Sequence, residues 1–236
     1  MKCNTLRMAA VAAALVSLSA LAQSSQAVPT VYTDRDDSTT FMTSFPNSLA
    51  KFNEFTASLT SFGVNDIETV AGFNPTLAFS GTQILAFAQG VLAQNAPGFQ
   101  IGSQALLELD AVGFPQVNTA FSFNTQITSF GLYVTQGGDA ASNPITFRLT
   151  NSFTNSTVDV PVQVGPGWGT DNTMFVGISD AALFDKVELI ETGDIGDGML
   201  YDNVVAGGAV PEPGSLLLAM IGGAFALCRG GRGRRG

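Results

Sequence analysis

From Phe121 onward the chain alternates apolar and polar residues with a period of two, the mark of half-buried β-strands. Phe130, Leu132 and Val134 fall on one face, as do Ile145, Phe147 and Leu149. Val158, Val160, Val162 and Val164 alternate with Thr157, Asp159, Pro161 and Gln163, and Pro161, which has no N–H to give a ladder, predicts an edge strand. Met174, Val176 and Ile178 continue the pattern, then Val187 and Leu189, then Leu200, Asp202 and Val204. Gly137–Asp139, Gly165–Gly167 and Gly193–Gly198 punctuate these runs as turns. Short strands at this spacing predict a mainly β domain, an antiparallel β-sandwich or jelly roll. The first half is less regular. Leu49, Phe52, Phe55 and Leu59 stand at helical spacing, which predicts one short helix near 47–60 with Asn47 or Ser48 as its N-cap, packed on the sandwich or closing one end. Strands are expected at 67–70, 76–80, 83–88 and 105–110. Gly207-Gly208-Ala209 is the one convincing linker, so the body spans residues 28–209.

The two ends have a different texture. In Met1–Ala27, Lys2 and Arg7 precede an apolar run from Met8 to Ala22, and Ser25-Gln26-Ala27 places small residues before Val28. That is the three-part organisation of a secretory signal helix cut by signal peptidase between Ala27 and Val28. No cysteine follows the apolar run, so a lipoprotein anchor is unsupported. At the other end, residues 210–236 read Val210-Pro211-Glu212-Pro213, then the apolar stretch Leu216–Cys228, then Arg229, Arg232, Arg234 and Arg235. Thirteen apolar residues rise only about 20 Å as a helix, against a hydrocarbon core of ~30 Å. This short transmembrane helix suits transient insertion, with the arginines held on the cytoplasmic side.

Composition removes many chemistries. There is no histidine in 236 residues, so Ser-His-Asp hydrolysis, histidine acid–base catalysis and His-ligated zinc or haem are excluded. Both cysteines, Cys3 and Cys228, lie in the end segments, leaving the body without a disulfide, a thiolate metal site or a thiol nucleophile. Between Val28 and Ala209, four bases (Arg35, Lys51, Arg148 and Lys186) face 18 carboxylates, a net charge of −14. A field of that sign repels phosphate backbones, so nucleic acid is not a partner.

Val210-Pro211-Glu212-Pro213, the short apolar helix and the terminal arginine cluster together resemble the PEP-CTERM sorting tail of exported bacterial proteins. The resemblance implies recognition by an exosortase, a membrane transpeptidase-like enzyme that cuts near the motif and releases or transfers the body. It covers about the last 26 residues. This tail departs from the pattern in its short apolar run and in Gly230, Gly231 and Gly233 among the arginines. The stretch Met174–Gly207 resembles the last third of many PEP-CTERM sandwich domains in Phe175–Asp180, Phe184–Leu189, Gly196–Gly198 and Tyr201–Val204, which implies fold and not activity. Some carriers of such tails bind ice.

Several residues are candidates for a site. Asp34, Asp36 and Asp37 near the start of the body, and Asp194, Asp197 and Asp202 near its end, could supply the oxygens calcium needs if first and last strands lie side by side. Asp and Gly are equally the ordinary residues of turns. Glycoside hydrolysis by a carboxylate pair needs neither histidine nor cysteine, but no motif selects a pair from Glu108 and Asp110 or from Glu188 and Glu191. Trp168, in a Gly-rich loop, is either a sugar-stacking platform or a plug at one end of the core. Thr146 and Thr150 flank a strand without the regular repeat of an ice-binding face, and the body's phenylalanines read as core. The expected function is a non-enzymatic exported protein of the cell surface or extracellular matrix, processed by exosortase and associated with exopolysaccharide. The alternatives are a carbohydrate-binding module, with or without calcium, a carboxylate glycosidase, and an ice-binding protein.

Overall fold

The computed structural model describes residues 28–38, 44–95, 101–109, 118–135, 145–162, 171–190 and 199–208. Residues 1–27 and 210–236, expected as signal segment and sorting tail, lie outside them, as do Trp168, Asp194 and Asp197. Two long strands organise the fold, β8 (Thr119–Thr135) and β11 (Asp171–Ile190). They run antiparallel, and their register shifts between Ser179 and Lys186. On either side of that irregularity they recruit different neighbours.

The first half of β11 pairs with β1 (Thr30–Ser38), and the second half of β8 pairs with β12 (Leu200–Gly207). β12 also pairs with β2 (Phe62–Asn65) and with β7 (Ala105–Glu108), which continues to β6 (Val91–Gln94) and β3 (Gly72–Phe73). The second half of β11 pairs instead with β9 (Ile145–Asn151) and through it with β10 (Ser156–Val162). The first half of β8 pairs with β5 (Leu85–Gln89), which holds β4 (Thr76–Ala78). Among the described residues all pairings are antiparallel, and with one helix there the architecture is consistent with a β-sandwich. β10 has β9 as its ladder neighbour and carries Pro161, so the proline stands on an edge strand as its missing N–H requires.

One buried cluster joins the two sets of strands. Phe130, Leu132, Val134, Met174, Val176 and Ile178 enter it from one side, and Phe121, Phe147, Leu149, Val187 and Leu189 from the other. These are the residues that alternation marks as inward.

Other expectations need correction. Residues 67–70 form a turn, with Ile67 buried at φ 63° and Val70 N–H donating to its carbonyl. β12 does not alternate evenly: Asn203 sits at φ 43° in a bulge, so Met199 and Tyr201 face the core before it and Val204 and Ala206 after it. The first and last strands are not adjacent, because β11 and β8 stand between β1 and β12.

The helix, α1 (Pro46–Ser58), packs on β1 and β11. Proline at N1 suits its first turn, where no N–H is needed. The N-cap is Phe45, not Asn47 or Ser48, and Phe45 offers no side-chain oxygen. The cap comes from the neighbouring strand: buried Asp36 accepts from Asn47 N–H at 3.1 Å and Ser48 N–H at 2.8 Å. Ser48 Oγ in turn donates to the Thr173 carbonyl at 2.8 Å. Phe55, fully buried, lies over the paired glycines Gly131 and Gly177 and packs with Tyr133, Phe175 and Val205. Burying that ring stabilises the helix docking by about 3 kcal/mol. Leu49 stays half exposed.

Candidate functional site

The row Asp34–Phe175–Tyr133–Asp202 runs across four paired strands on the face that α1 covers. Three strand steps separate Asp34 from Asp202, about 14 Å, too far for both to ligate one ion at calcium distances of ~2.4 Å. Asp36 caps the helix, Asp37 accepts from Arg35 Nε at 3.0 Å, and exposed Asp34 accepts from Arg35 N–H at 2.8 Å. Asp202 is buried and accepts from Ile101 N–H at 2.8 Å and Asn203 N–H at 2.7 Å. Burial pushes its carboxyl up to about 8, the two N–H bonds oppose the shift, and the charges of Glu68 and Asp66 add to it. The Tyr133 phenol is raised too, by burial first and then by Asp36 and Asp202. Among the described residues no group of three carboxylates is placed to hold a metal.

Glu68, which sequence reading did not single out, accepts from Ser103 N–H at 2.7 Å, from Gln104 N–H at 3.4 Å and from the Ser103 hydroxyl. These bonds, the hydroxyl's first, hold its carboxyl below the ordinary glutamate value. With Asp202 it ties down residues 101–104.

Of the carboxylates considered for hydrolysis, Glu108 is buried and accepts from Thr119 Oγ1 at 3.0 Å. Glu188 accepts from Lys186 Nζ at 2.8 Å. Asp110 and Glu191 lie outside the described residues.

The other distinctive surface is the outer face of β4–β5–β8–β11–β9–β10. Cross-strand pairing builds two rows on it. One is Thr76–Phe87–Ser122–Lys186–Thr150–Thr157, and the next is Gln89–Ala120–Glu188–Arg148–Asp159. Six strands span about 24 Å. Arg148 donates to Asp159 from Nε at 2.7 Å and from one Nη at 2.9 Å, a two-pronged pair between β9 and β10. That pair raises the Arg148 pKa and lowers that of Asp159. Lys186 and Glu188 form a second pair on the same face. Two of the body's four bases therefore meet here, each balanced by a carboxylate. Phe87, 47% exposed, stands at the β5 end of this face.

Sequence reading assigned Phe87 to the core. In Leu85-Ala86-Phe87-Ala88-Gln89 both phases of the alternation are apolar, and the structure turns the small alanines inward and the larger side chains outward. Pairing with Ser122 and Thr76 was the missing signal. Thr146 and Thr150 do lie on this face, separated by Arg148.

No family model matches the chain, and no curated protein matches it. Among solved structures, a mutant of a family 29 carbohydrate-binding module is similar over 66% of this chain and 95% of that one, at 15% identity and a TM-score of 0.34.

Proposed function

We propose that the protein is exported, cut by signal peptidase after Ala27 and by an exosortase at its tail, and kept at the cell surface or in the extracellular matrix as a non-enzymatic component. One observation carries this reading: a secretory leader, an acidic body without histidine or thiol, and a Val210–Pro213 motif, apolar helix and arginine cluster follow one another in a single chain. Each part answers a physical need of the route. The basic n-region and the terminal arginines stay cytoplasmic while the body crosses, and the short apolar helix holds the tail in the membrane long enough to be cut.

Mass spectrometry of the native secreted protein tests this. A chain beginning near Val28 and ending near Pro211–Ser215 is expected, and an extracellular form that retains Leu216–Arg235 would refute it.

A second reading is favoured by the outer face of β4–β5–β8–β11–β9–β10. A balanced polar surface with an exposed aromatic ring is what a non-catalytic carbohydrate-binding module presents to exopolysaccharide. The two readings are compatible, since a surface protein that holds matrix polysaccharide needs both an export route and a binding face.

A further inference from the structure

We propose that this outer face binds an uncharged polysaccharide, with Phe87 stacking on a sugar ring and the Arg148–Asp159 and Lys186–Glu188 pairs bonding its hydroxyls. The inference rests on the carbohydrate-binding reading above and adds the site and the class of polymer.

Sugar hydroxyls are donors and acceptors at once, while the ring faces are apolar C–H surfaces. A site for them needs fixed donors beside fixed acceptors and an aromatic plane. Arg148 and Asp159 supply both kinds of group already oriented, and the Nη1 donors of Arg148 take no part in their mutual pair. Lys186 and Glu188 repeat the arrangement one strand away, with 33% and 24% of their side chains exposed. Exposed ion pairs contribute little to stability, so fold maintenance is a weak account of two such pairs on neighbouring strands. Preorganised groups, by contrast, lower the entropy lost on binding. A hexose is about as long as the spacing between strands, ~4.8 Å, so a chain laid across the sheet meets a new strand with each residue. Ser122 lies between Phe87 and Lys186, keeping a hydroxyl within the track.

Charge selects the polymer. The body carries −14, which repels uronates and other anionic chains, whereas this face is locally neutral. An uncharged glycan meets neither repulsion nor an unpaired ion to desolvate.

The test is affinity electrophoresis of the full-length protein in gels containing hydroxyethyl cellulose, glucomannan or, as an anionic control, alginate. The wild type should be retarded by an uncharged polymer and not by alginate. Phe87→Ala and Arg148→Gln should each weaken binding by about tenfold or more at an unchanged melting temperature. Phe87→Trp should retain it, and Phe153→Ala, which truncates an 87% exposed ring on the β9–β10 turn, should have no effect. Retardation that survives both Phe87→Ala and Arg148→Gln would overturn the assigned face while leaving a carbohydrate-binding protein. Retardation by alginate alone would overturn the uncharged class. No retardation of the wild type by any of the polymers would remove the carbohydrate-binding reading together with the inference.

Discussion

Placing a methyl group on Gly177 probes how α1 is held against the sheet. A Cβ built there would lie 2.7 Å from Phe55 Cδ2, 2.8 Å from Phe55 Cγ and 2.9 Å from Phe175 Cε1. Carbon atoms rest about 3.5–4.0 Å apart, so one ring must retreat by close to an ångström. Phe55 is fully buried and packed edge-on to Tyr32 at 5.3 Å, and Phe175 is wedged against Tyr133 at 5.3 Å, so neither has open space to enter. Overpacking of this kind costs about 1–3 kcal/mol, and Gly177→Ala should fall in that range. Phe55→Ala should cost about 3–5 kcal/mol, since it leaves a cavity between helix and sheet. In the double variant the new methyl enters the space the ring has left. The combined loss should therefore be smaller than the sum of the single losses by about 1–2 kcal/mol. Urea denaturation with constant slope for all four proteins measures the cycle. Strict additivity would show that Phe55 does not rest on Gly177, and the account of helix docking would fail with it.

Two further outcomes follow from the acidic residues on the same face. Asp202 binds its proton more tightly in the folded state, so its contribution to stability is complete below pH 3.8 and is lost as pH rises through about 8. The whole loss is on the order of 6 kcal/mol, and thermal unfolding at pH 5, 7 and 9 should show about two-thirds of it in the wild type and a much flatter profile in Asp202→Asn. An equal slope in both proteins would locate the titration elsewhere. Asp36→Ala should lower stability by about 1–2 kcal/mol through loss of the helix cap. Asp36→Asn, which keeps an oxygen for one of the two N–H groups, should recover part of that loss in the same denaturation assay.

Much of the fold could be read from residue order, and the reasons for the exceptions are local. In β9 and in the second half of β11, one phase is apolar and the other polar, so burial alone decides which side faces in. Phe147, Leu149, Val187 and Leu189 point inward accordingly, and the polar phase of those strands became the proposed binding face. Proline chemistry placed β10 at an edge. The proposed leader and sorting tail rest on sequence alone, because recognition of such segments depends on short linear patterns of charge and hydrophobicity. Alternation is silent about neighbours, however. It could not say that β11 and β8 separate β1 from β12, and so it could not tell whether Asp34 and Asp202 meet. A bulge at Asn203 reversed the parity of β12 midway, and two apolar phases in β5 left the side of Phe87 undetermined. Asp36 is a helix cap and Glu68 a loop tie only because the chain returns, 11 and 35 residues later, to present backbone N–H groups to them. Contacts across such distances depend on how strands pair in space, which only the tertiary structure decides.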